Sequence, residues 1–146
     1  MIKLFALGNE FLGDDGIAIK VIRHIEKIIK DKILIFYSGL DDMICLENIT
    51  ENDTVIFIDS TFFNETPGTV NFFTKEYIIN HLPNNTIQNT SLSLSIYSYT
   101  NITVYFIGIE IASLYYSYNI SEELNNNFKT ICDNVLEKLI YIINKW

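Results

Sequence analysis

Leu7-Gly8-Asn9-Glu10-Phe11-Leu12-Gly13-Asp14-Asp15-Gly16 is the stretch on which the reading of this chain turns. The apolar run Ile2–Leu7 precedes it and the amphipathic run Ile17–Ile29 follows it. The stretch is therefore a connection from a strand to a helix. Gly8, Gly13 and Gly16 permit tight turns and positive φ. Asp14 and Asp15 stand side by side where the helix starts. Carboxylates in that position either cap free N–H groups or hold a cation.

Working outward, the run before the loop is short, nearly all apolar and bounded by Gly-Asn, as in a buried parallel strand. After the loop, Ala18, Val21, Ile22, Ile25, Ile28 and Ile29 recur at helical spacing, with Lys20, Arg23, His24 and Lys27 on the wet face. Residues 33–37 read as a second strand closed by Ser38-Gly39, and residues 40–48 as a loop with a short helix. Residues 54–58 (T-V-I-F-I) form the clearest strand signal, with Asp59 at its end. Pro67-Gly68 is a turn, and the short connection predicts that residues 69–73 run antiparallel to a neighbour. Residues 75–82 and 92–99 fit helix or strand, and residues 83–90 form an Asn-rich loop. Residues 101–107 are a further buried strand, followed by Gly108 and Glu110. Ser121 is placed to cap a last helix whose apolar face is Leu124, Phe128, Ile131, Val135, Leu139 and Ile142.

This order predicts an α/β three-layer sandwich, with helices on both faces of a mostly parallel twisted sheet, spanning residues 1–146 as one domain. Sites in such sheets lie beyond the carboxyl ends of strands. Three loops meet that rule, and each brings a carboxylate: Asp15, Asp59 and Glu110.

Composition narrows the function. Apolar residues make up 49% and charged residues 19%, enough for a packed core. A net charge of −8 argues against nucleic acid and anionic membrane surfaces as partners. No apolar run approaches the ~20 residues of a membrane span. The start of the chain lacks the pattern of a secretory signal, which predicts a cytoplasmic protein. Cys45 and Cys132 are isolated and read as buried free thiols.

Asp15 and Asp59 are the pair of interest. Two carboxylates at one sheet edge can bind a divalent metal, divide acid and base roles, or cap elements. The glycines do not have G-x-G-x-x-G spacing, and there is no Walker A lysine, C-x-x-C pair, H-E-x-x-H or nucleophile elbow. No catalytic nucleophile is therefore designated. His24 reads as solvated, and His81 is a weak candidate ligand.

The segment L-G-N-E-F-L-G-D-D-G-I-A resembles the signature of the hydrogenase maturation proteases. The remaining motifs follow in family order: Ser38-Gly39, V-I-F-I-D ending at Asp59, P-G-T at 67–69, F-I-G-I-E ending at Glu110, and I-S-E-E-L at 120–124. The resemblance implies a phosphorylase/hydrolase-like sandwich. It also implies a nickel-dependent endopeptidase that removes the C-terminal extension of a nickel-loaded NiFe-hydrogenase large-subunit precursor. Asp15 and Asp59 match its two metal-contacting acids, with Gly8, Asn9, Gly13, Asp14 and Gly16 as the supporting loop. Of the adjacent acids, Asp14 is then the one expected to cap the helix.

The chain departs from the family where a third metal contact, a histidine, is expected. Here N-T-S-L-S-L at 89–94 places Thr90 or Ser91 at that position. A neutral hydroxyl is a poor ligand for divalent nickel. Ile111 replaces a proline and Ala18 a glycine. A second reading follows, a non-catalytic relative that serves as a hydrogenase assembly or binding factor.

Overall fold

The computed structural model describes residues 1–77 and 101–146. The stretches expected to be loop at 83–90 and helix or strand at 92–99 lie outside these residues, as do His81, Thr90 and Ser91. Strands β1 (Ile2–Leu7), β2 (Leu34–Gly39), β3 (Thr54–Thr61), β4 (Val70–Thr74) and β5 (Thr103–Glu110) form one sheet in the order β2-β1-β3-β5-β4. The first four neighbours in this order run parallel, and β4 lies antiparallel to β5 at the edge. Helices α1 (Ile17–Ile29), α2 (Asp42–Asn48), α3 (Glu122–Asn126) and α4 (Phe128–Lys145) complete the α/β sandwich.

The continuous apolar runs hide a period of two, because both faces of the sheet are covered. Leu4, Ala6, Ile56, Ile58, Ile107 and Ile109 join the core shared with α1 and α4. Phe5, Val55, Phe57, Val104 and Phe106 join a second core, which includes Cys45 of α2. Burial pushes the thiols of Cys45 and Cys132 up to about 11, so both stay protonated and serve as small apolar side chains.

The last helix is not continuous. Ser121 Oγ accepts from Leu124 N at 3.3 Å, as its capping position predicts, but α3 ends at Asn127 and α4 starts anew at Phe128. Asn127 has φ −103° and ψ 5°, outside the α-helical pattern, while Leu124, Ile131, Val135 and Leu139 on either side of it stay in one core. Strands β3 and β5 run three residues further than their apolar cores, to Thr61 and Glu110, because backbone pairing continues past the hydrophobic run.

At the opposite end of the sheet from the carboxyl termini, Lys3 is the one charge in β1. It stays buried by reaching Asn48 O at 2.7 Å and Asp53 Oδ2 at 2.6 Å. Burial alone would raise the Asp53 carboxyl, but Lys3 and the hydroxyl and N–H of Thr50 outweigh it and hold it at about 2. A lowered carboxyl contributes stability above the ordinary value of about 4 and loses it as pH falls towards 2. Asp53→Asn is expected to cost about 3 kcal/mol at neutral pH, because it strands the Lys3 ammonium. Its urea midpoint should also change less than wild type between pH 4 and pH 2; equal changes would remove Asp53 from the acid response.

Candidate functional site

At the carboxyl end of β1 the chain must turn at once, because the helix that follows packs back on the sheet. Gly8 makes the turn at φ +108°, donating its N–H to Gly39 O at 3.1 Å. A Cβ at Gly8 would lie 2.1 Å from Asp15 O and 3.5 Å from Asp59 Oδ1. The absent side chain is therefore what lets the loop and β3 close on each other. Gly16 has a similar role: a Cβ there would lie 2.7 Å from Glu10 Cα. Glu10 in turn grips Arg23 of α1 through both carboxylate oxygens, at 2.5 and 3.1 Å.

The adjacent acids face different partners. Asp14 is fully buried. Its Oδ2 accepts from Ala112 N at 3.0 Å and Ser113 N at 3.2 Å, and its Oδ1 accepts from Ser121 N at 2.6 Å. It does not cap the helix, as the sequence suggested; Gly16 occupies the N-cap of α1 without a side-chain bond. Asp14 instead fastens the segment between β5 and α3. Gly13 N donates to Ser117 O at 2.7 Å and Ser117 N to Phe11 O at 2.9 Å, so the loop and this segment are joined by backbone as well.

Asp15 is half-buried. Its Oδ2 accepts from Asn9 N at 2.7 Å and its Oδ1 from Ser60 Oγ at 2.6 Å. Asp59 Oδ1 accepts from Ser60 N at 2.8 Å. The two acids thus meet around one serine at the end of β3. Burial pushes the Asp59 carboxyl up to about 7, and the charge of Asp15 adds to the rise against the pull of the Ser60 N–H. Each carboxylate has about four lone-pair directions. Asp15 spends two of them on these bonds and Asp59 one, so both keep lone pairs for a cation.

The expected third acid does not join them. Glu110 is fully buried, and its oxygens accept from Thr61 Oγ1 at 2.9 Å, Phe63 N at 2.8 Å and Glu65 N at 3.2 Å. It holds the turn after β3. Among the described residues no cluster of three or more His, Cys, Asp or Glu forms a metal site. His24 lies edge-on to Phe128 of α4, ring centroids 5.4 Å apart. A groove of about 570 Å³ between α1 and α3, with Lys20, Asn119, Glu122 and Phe128 in its walls, contains neither Asp15 nor Asp59.

The sequence reading missed two features. Ser60 is one; its only signal was its place beside Asp59. The other is an exposed apolar rim: Phe11 stacks obliquely on Tyr118 at 4.6 Å, with Leu114 and Tyr116 also exposed, Tyr116 at 92%. This rim is carried by the segment that Asp14 fastens to the site loop.

A family model described as hydrogenase maturation protease (HycI) matches residues 19–138. The chain belongs to the hydrogenase maturation protease family. The match includes Asp59 and Ser60 and starts just after the loop that carries Asp15. Solved structures of such proteases share the fold of this family member. The NiFe hydrogenase maturation protease HybD from Thermococcus kodakarensis superposes with TM-score 0.72 at 21% identity, covering 94% of this chain and 97% of that one. The hydrogenase maturating endopeptidase HybD from E. coli gives TM-score 0.74 at 19% identity, covering 96% and 92%. The hydrogenase 2 maturation peptidase from a Thaumarchaeota archaeon gives 0.64 at 25% identity, covering 94% and 97%. No curated protein matches the sequence. No helix among the described residues is long and apolar enough to cross a membrane.

Proposed function

We propose that this protein is an endopeptidase that removes the C-terminal extension of a nickel-loaded NiFe-hydrogenase large-subunit precursor in the cytoplasm. The observation that carries the reading is the meeting of Asp15 and Asp59 around Ser60. Two carboxylates with free lone pairs suit a hard-to-borderline divalent ion such as nickel. Nickel marks the precursor as loaded and, held by Asp15 and Asp59, would supply Lewis acidity at the scissile bond. The chain's own residues supply the rest. Asp15 and Asp59 engage the cation, the Gly8 turn brings them together, and the exposed rim of Phe11, Tyr116 and Tyr118 offers apolar contact to the docking segment.

The test is incubation with nickel-loaded precursor and measurement of the product mass. The expected result is loss of the C-terminal segment, slowed by on the order of a thousandfold in Asp15→Ala or Asp59→Ala, the value of several kcal/mol of metal-derived stabilisation. The second reading, a non-catalytic assembly factor, is favoured by one observation: Thr90 or Ser91 stands where the family has a histidine. Stable co-purification with an uncleaved precursor would establish it.

A further inference from the structure

We propose that Ser60 is the positioning residue of the acid pair, its hydroxyl holding Asp15 and its backbone N–H holding Asp59 where one divalent cation reaches both. The inference rests on the metal reading above for its functional sense, but its structural part stands on geometry alone. Ser60 Oγ donates to Asp15 Oδ1 at 2.6 Å across 45 positions of sequence, and Ser60 N donates to Asp59 Oδ1 at 2.8 Å. Ser60 is therefore the one described residue that bonds both carboxylates.

Like charges on the two carboxylates repel, and a side chain free to rotate would take Asp15 away from Asp59. The backbone donor from Asn9 reaches the other oxygen, Asp15 Oδ2, at 2.7 Å. One donor per oxygen fixes a carboxylate in its plane; one donor alone leaves it a hinge. Removal of the Ser60 hydroxyl thus frees Asp15 specifically, because Ser60→Ala keeps the backbone N–H to Asp59. Groups that orient a metal ligand change affinity without touching the metal, typically by tenfold to a hundredfold.

The experiment compares wild type, Ser60→Ala and Ser60→Thr. Hα–Hβ couplings of Asp15, measured by NMR on metal-free protein, report its rotamer, and calorimetric titration with nickel sulfate reports affinity. We expect one Asp15 rotamer in wild type and Ser60→Thr, and averaging in Ser60→Ala. Nickel affinity should drop about tenfold to a hundredfold in Ser60→Ala and recover in Ser60→Thr. An Asp15 rotamer that stays fixed in Ser60→Ala overturns the proposal, as does unlocking with no change in nickel affinity. If wild type binds no nickel while Asp15 unlocks in Ser60→Ala, the hold of Ser60 on Asp15 is established and the metal reading fails instead.

Discussion

Asp59→Asn is expected to remove nickel binding while making the metal-free protein more stable above pH 7. The Asp59 carboxyl sits at about 7, raised first by burial and then by Asp15. Between about pH 4 and pH 7 the folded chain therefore keeps a proton that the unfolded chain has released. Stability falls as pH rises through that window and stays at the lower level above it. Asparagine keeps the shape and can still accept the Ser60 N–H, but carries no charge to desolvate. We expect a gain of roughly 2 kcal/mol at pH 8, about 5 °C in Tm, and little gain at pH 4. The same proton competes with a cation, so wild-type nickel affinity should weaken about tenfold for each pH unit below 7 and level off above it. Thermal melts at pH 4 and pH 8, with calorimetric titration across pH 5 to 8, read both effects. Identical melting shifts at the two pH values would refute the assignment of the raised carboxyl to Asp59. Stability given up at a site that needs a buried charge is the usual cost of function.

Asp14→Ala should be the most destabilising change in the loop, although Asp14 stands outside the acid pair. It is fully buried and satisfies three backbone donors, those of Ala112, Ser113 and Ser121. Truncation leaves them buried without an acceptor, at a cost of about 4 kcal/mol and roughly 10 °C in Tm. Hydrogen exchange should quicken at these three amides before it quickens in the strands. Asp14→Asn, which retains one acceptor oxygen, should cost about half as much. Because the rim carrying Tyr116 and Tyr118 hangs from the same segment, precursor binding should weaken as well. An Asp14→Ala protein with wild-type Tm would mean that water takes over all three donors.

Much of the fold was legible before the structure. The run Ile2–Leu7 and the T-V-I-F-I run of β3 are continuous and apolar because both faces of a parallel sheet are covered. The spacing from Ile17 to Ile29 is helical because one stripe must pack on that sheet. The antiparallel direction of β4 followed from its short connection to β3, but its partner did not: it pairs with β5 at the edge of the sheet rather than with β3. The break at Asn127 was not legible, since the apolar stripe passes through it unchanged.

By itself, the sequence determined the layered α/β architecture and the placing of Asp15 and Asp59 at strand-end loops, because periodicity and loop position are local properties; the family was carried by the ordered motifs that resemble it. Tertiary structure decided the division of labour among the acids. Asp14 and Asp15 are neighbours of identical type, yet one serves backbone donors 98, 99 and 107 positions away and the other meets Ser60 45 positions away. Glu110 stands at the same sheet edge and turns to Thr61 and Phe63 instead. The role of a carboxylate depends on which donors reach it and how much water is excluded, and both are set only when distant segments have packed.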